Sequence, residues 1–230
     1  MIKFHFSLCA SLLTGIFAFA SYGAQAQSVT IVDTITTTNQ NAHYVSNRSP
    51  LVQSPFIKLP AGSISPRGWL LTQLQLQRDG LCGHLSEIIA WLQKDDNAWL
   101  KQGGKWGWEE VPYWLRGYSE MAFMLNDKKM IDESRVWIEA ILKSQRPDGN
   151  FGPVIMNKGA QDFWPNMLAL WALQNYYERT ADKRVPEFMT KYFHFQLTVP
   201  DDKFLEDYWE NSRGGDNLWS VLWLYNRTGN

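Results

Sequence analysis

The chain has 230 residues, with 22 Lys and Arg against 23 Asp and Glu and a net charge of −1. Charges of both signs, evenly scattered, exclude the basic stripe of a nucleic-acid binder and the basic patch of an anionic-membrane binder. The compositional outlier is aromatic: 12 Trp, and 14% Phe, Trp and Tyr in all, more indole than a helical core needs, since each buried Trp N–H requires a partner.

The first 26 residues read as a signal peptide. A weakly basic start at Met1–Lys3 leads into an apolar stretch from Phe6 to about Tyr22, then the small-residue site Ala24-Gln-Ala26. The stretch is short for a membrane span and lacks a basic stop-transfer flank. Cleavage after Ala26 implies a secreted or periplasmic protein, with no membrane attachment afterwards. Cys82 then remains as the single cysteine, so no intrachain disulfide is available. As a lone thiol it is either a nucleophile or a small buried apolar group. Residues 27–53 are Ser/Thr/Asn-rich and read as an extended lead-in. Export together with surplus indole leans toward carbohydrate, because sugar clefts set flat aromatic faces against the C–H faces of the rings.

From residue 54 onward the pattern is helical. Ser65-Pro66 predicts a helix start, Ser as N-cap and Pro at the first helical position, running to Gly80. A second apolar stretch covers Leu85 to Trp91. Tyr113 to Leu125 is apolar almost all round, as in a helix buried on most sides. Asn126-Asp127 breaks it, and Asp127 can cap the next helix. That helix places Met130, Ser134, Trp137, Ile138, Ile141 and Leu142 on one stripe. Arg146-Pro-Asp-Gly-Asn150 is a strong turn. The plan then repeats: a buried helix from Met167 to Tyr177, a break at Thr180-Ala-Asp182, and an amphipathic helix carrying Val185, Phe188, Met189, Tyr192 and Phe193. A third buried helix, Asn217 to Tyr225, runs into Asn226-Arg-Thr-Gly-Asn230.

Each buried helix follows a loop of Trp, acid and amide residues: Trp106–Trp114, Gln161–Asn166 and Arg213–Trp219. Glu110 and Asp162 are 52 positions apart, Asp162 and Asp216 54. Such a period marks repeated helix pairs, and repeats of one orientation gather their loops at one mouth. The fold class expected is all-α, an incomplete (α/α)6 toroid of inner and outer helix pairs over residues 54–230. The apolar third helix is no polar cap. The chain is therefore expected to be the N-terminal part of a catalytic domain, its last helix covered by a C-terminal half or another chain.

At the mouth, the candidate catalytic carboxyls are Glu109, Glu110, Asp162 and Asp216. Glycoside hydrolysis ordinarily needs two carboxyls flanking the scissile bond, and a carboxyl against indole faces has its pKa raised, which suits a general acid. Asp162 and Asp216 serve equally well as helix caps. Candidate substrate contacts are Trp108, Tyr113, Trp114, Trp164, His84, Arg213 and Asn217. Core packing is the competing role for the aromatics, a structural role for His84, and a salt bridge to Asp216 for Arg213. Arg213 is otherwise suited to a uronate carboxylate. No metal cluster, phosphate loop or nucleophile elbow is visible.

The run Trp108-Glu109…Tyr113-Trp114-Leu115…Gly117, then Trp164-Pro165…Met167, Arg213-Gly-Gly-Asp-Asn217 and Trp223-Leu-Tyr-Asn-Arg-Thr-Gly229, resembles the β-L-arabinofuranosidase superfamily, glycoside hydrolase family 127 and its relatives. The resemblance covers roughly residues 54–230. It implies an (α/α)6 catalytic domain, usually followed by β-sandwich domains, in an exported enzyme acting on oligo- or polysaccharides of plant type. It also implies, in the arabinofuranosidases themselves, a zinc-bound cysteine nucleophile with nearby glutamates. Those motifs belong to the second half of the barrel, and Cys82 does not match the nucleophile motif. No cofactor ligand is therefore assigned. A non-catalytic glycan-binding fragment, or an α/α-toroid lyase using Tyr113 and His84, are the alternatives.

Overall fold

The computed structural model describes residues 46–54, 56–154 and 162–230. The signal peptide, most of the lead-in and Gln161 lie outside the described residues. Among the described residues there is no strand, only an isolated bridge between Asn97 and Trp106. The α-helices are α1 (Trp69–Asp79), α2 (Leu81–Ile88), α3 (Glu110–Leu125), α4 (Lys128–Lys143), α5 (Trp164–Thr180), α6 (Arg184–Gln196), α7 (Tyr208–Ser212) and α8 (Gly214–Thr228).

Three of these lie side by side and parallel. Going along α3 and α5, Tyr113 meets Trp164, Arg116 lies over Trp171, and Glu120 hydrogen-bonds Asn175. Going along α5 and α8, Trp171 stacks on Trp219, Gln174 bonds Ser220 at 2.8 Å, and Tyr177 meets Trp223. Both registers advance together, which antiparallel helices cannot do. The central helix, α5, is buried on most sides, with Met167, Leu168, Leu170 and Leu173 in the core. Pro165 is tolerated in its first turn because those N–H groups have no intrahelical acceptor.

Helices α4 and α6 flank the row through amphipathic stripes: Met130, Ser134, Trp137, Ile138 and Ile141 are buried on α4, Val185, Phe188, Met189 and Tyr192 on α6. Leu142 and Phe193, on the edges of those stripes, are only partly buried. Phe151, from the turn after α4, packs edge-on against Phe188 and Tyr192, each at 4.7 Å. The connections close as the sequence indicates. Asn126 takes the left-handed conformation after α3, and the Asp127 side chain accepts the Met130 N–H at 3.1 Å, capping α4. Ala181 and Gly229 end α5 and α8 in the same left-handed way. Replacing Asp127 with Ala should cost about 1 kcal/mol of stability, read as a shift in urea midpoint; an unchanged midpoint would show that the cap is dispensable.

Two expectations are corrected. The first helix begins at Trp69, three residues beyond Pro66, because Gly68 at φ 57° and ψ −135° breaks the path from Ser65. Cys82 is exposed on α2: α1 and α2 bury no residue fully, and Trp69, Leu76, Leu81 and Ile88 stay exposed. Nothing among the described residues covers that side.

Candidate functional site

The three loop–helix junctions end at one cleft of about 540 Å³. Trp108 and Glu109 line it from the start of α3, Asp162 and Trp164 from the start of α5, and Asp207, Trp209 and Arg213 from the approach to α8. Parallel helices whose N-termini share a cleft favour acidic side chains there, since the unsatisfied N–H groups and the helix dipoles are positive at that end.

A segment without helical periodicity sets the first junction. Asn97, fully buried, donates to the carbonyls of Trp91 and Gln93 and accepts the Trp99 N–H at 3.1 Å. The Trp99 indole N–H is shared between the carbonyls of Gly107 and Trp108, each at 3.0 Å. Gly107, at φ 83°, leaves no room for a side chain: a Cβ would stand 2.6 Å from the Trp91 carbonyl oxygen. Trp108 and Glu109 are thereby fixed before α3 begins.

The second junction holds the most unusual chemistry. Asp162 accepts the Trp164 N–H at 2.8 Å and hydrogen-bonds the carboxyl of Glu210, which also accepts the Phe163 N–H. Both carboxyls are buried, Asp162 at 4% exposure and Glu210 at 2%. Loss of hydration raises the pKa of each, that of Glu210 to about 7. Two adjacent carboxyls in such a site hold a proton between them near neutral pH. Glu109, facing them, accepts the Trp164 indole N–H at 3.0 Å.

At the third junction the Arg213 guanidinium lies 4.0 Å from the centre of the Trp164 ring and 4.8 Å from that of Trp209. The sequence expectation of a loop over Arg213–Trp219 is corrected: α8 already begins at Gly214, and the turn before it is the short α7. Asp216 lies in the first turn of α8, not at its cap, and Arg213 forms no salt bridge with it. Glu110 occupies the first turn of α3.

Other candidates stand elsewhere. Trp114 is a core residue, packed on Tyr118 and Trp137 at 4.5 and 5.8 Å. Asn217 is buried and exchanges two hydrogen bonds with Gln196. His84 sits on α2 beside Glu87, 3.0 Å away, and is not a cleft residue. Tyr113 is half exposed at the cleft's edge against Trp164, at 5.7 Å. Glu210, Asp207 and Trp209 were not among the sequence candidates. Their only signal is the acid and aromatic density of Asp207-Tyr-Trp-Glu210, without a repeat partner to flag it.

Parallel helices that bring acids, indoles and one arginine to a shared end define a helix-pair repeat protein with a polar, aromatic-lined cleft. Residues 28–230 match the family described as beta-L-arabinofuranosidase, GH127 catalytic domain, and the chain belongs to that family. No curated protein and no solved structure matches it. The zinc–cysteine centre implied by the resemblance is not formed by the described residues. No three His, Cys, Asp or Glu side chains among them are grouped to hold a metal ion.

Proposed function

We propose that this chain is an exported glycoside hydrolase-like protein acting on plant-type glycans, L-arabinofuranosides or related sugars, and that it forms the N-terminal part of an (α/α)6 toroid. The observation that carries the proposal is the convergence of Glu109, Asp162, Trp108 and Trp164 on one cleft at the N-termini of α3 and α5. Cleaving a glycosidic bond takes an acid to protonate the leaving oxygen and a second carboxylate to stabilise or attack the anomeric carbon. Asp162, which lines the cleft and shares the proton of Glu210, fits the first role; Glu109, held as an acceptor by the Trp164 indole, fits the second. The toroid is supported by the apolar surface left open at both ends of the helix row. On one side are α1 and α2; on the other, Leu218, Trp219 and Val221 of α8. Exposed apolar faces of this kind mark a surface that is normally covered, and further helix pairs would cover both.

The lyase alternative lacks its base. His84 is not a cleft residue, and burial pushes the Tyr113 phenol further above neutrality. Titration of the protein with arabino-oligosaccharides, followed by intrinsic Trp fluorescence, tests the reading. Binding should be saturable, and Trp108→Ala should weaken it at least tenfold; no binding, or binding indifferent to Trp108, would refute it.

A further inference from the structure

We infer that the cleft selects an anionic glycan, with Arg213 taking the carboxylate of a uronic acid residue. This rests on the glycan reading above and adds the class of sugar.

Arg213 is fixed but chemically unspent. One face of each of Trp164 and Trp209 holds its guanidinium by cation–π stacking, and its backbone ends α7 and precedes α8. Among the described residues its side chain makes no hydrogen bond and no ion pair with a carboxylate. This holds although Glu109, Asp162 and Asp207 line the same cleft. Each of those acids is engaged with a donor of its own. Glu109 has the Trp164 indole N–H, Asp162 the Trp164 backbone N–H and Glu210, and Asp207 the Trp209 N–H at 2.8 Å. The proton held between Asp162 and Glu210 also removes one negative charge from the surroundings of an incoming anion.

A guanidinium is a planar fork of five donors that matches a carboxylate edge to edge, and one already clamped loses little freedom on binding. The N-terminus of α8, starting at Gly214 directly after Arg213, adds its positive dipole end at the same place, offset in part by Asp216 in its first turn. A neutral sugar would leave the fork facing water. Trp164 is buried, so the indole surface left for the sugar ring is that of Trp108 and the exposed part of Trp209.

The test compares trigalacturonate with its carboxyl-reduced neutral counterpart, by isothermal titration at fixed pH and low salt. The uronate should bind at least tenfold more tightly, Arg213→Gln should erase the difference, and Arg213→Lys should restore part of it. Arg213→Met, which keeps the packed stem, guards against a loss caused by collapse of the indole pair, and should also erase the preference. Equal binding of both sugars, or a uronate preference that survives Arg213→Gln, overturns the inference and leaves the glycan reading intact. If neither these sugars nor the arabino-oligosaccharides bind, the glycan reading falls and takes the inference with it.

Discussion

Glu178→Ala should destabilise the protein by about 3–5 kcal/mol, the cost expected for breaking a buried ion pair from one side. Glu178 lies near the C-terminal end of α5 and is 3% exposed. Its carboxylate accepts the Trp223 indole N–H at 2.9 Å and an Arg227 N–H at 3.1 Å, and Lys58 Nζ lies 3.0 Å away. A carboxylate is unfavourable at the negative end of a helix dipole, so the site depends on those cations. Arg227 is itself largely buried and lies 3.8 Å from the centre of the Trp223 ring. Removing Glu178 takes away the carboxylate that Arg227 pairs with and the acceptor of a buried indole N–H together. The same contacts tie the segment before α1, through Lys58, to α5 and α8. Equilibrium urea unfolding followed by Trp fluorescence measures the loss. Glu178→Gln retains an acceptor for Trp223 and should fall between wild type and the alanine variant. A loss below about 1 kcal/mol for alanine would mean that water rehydrates Arg227 and that the network is peripheral.

The two ends of the parallel helices were not equally legible in the sequence. The C-terminal ends were, because local chemistry decides them. Asn126 and Gly229 are residues that tolerate the left-handed conformation, and Asp127 caps α4 through a neighbour three positions on. The buried stripes of α4 and α6 follow from helical periodicity in the same way. At the cleft end, the recurrence of acid and indole residues points to the right junctions but not to each side chain's role. Trp114 and Asn217 sit one helical face away from the cleft and are spent on packing and on Gln196. What the sequence hides is long-range. Glu210 is paired with a residue 48 positions earlier and lies on a five-residue helix too short to carry a period. The Asn97–Trp99 segment is ordered by backbone hydrogen bonds that composition does not encode. The exposure of Cys82 is not legible either, because burial depends on what covers α2, and composition does not carry that information.

Glu210→Gln should make the protein more stable than wild type at pH 8, and leave it near wild type at pH 5. Burial raises the native-state pKa of Glu210 from 4.5 to about 7, while in the unfolded chain the group titrates near its ordinary value. Between those values the native state holds a proton that the unfolded state has released. Unfolding free energy therefore falls as pH rises through that window, and the penalty is complete above about pH 7. A shift of this size corresponds to on the order of 3 kcal/mol, part of which belongs to Asp162, raised by the same burial. Glutamine can accept the Phe163 N–H and donate to Asp162 without ever having to ionise. Its stability should therefore be flatter with pH, and at pH 8 it should exceed wild type by about 2 kcal/mol. Comparing the two proteins at each pH cancels the salt-bridged acids whose pKa is lowered, such as Asp132 and Asp182. Those acids lose stability only at lower pH. Urea midpoints at pH 5, 6, 7 and 8 decide the matter. Parallel curves for the two proteins would show that Glu210 ionises without cost. The cleft would then have no shared proton to offer a glycosidic oxygen, and Asp162 would be left as a cap for α5.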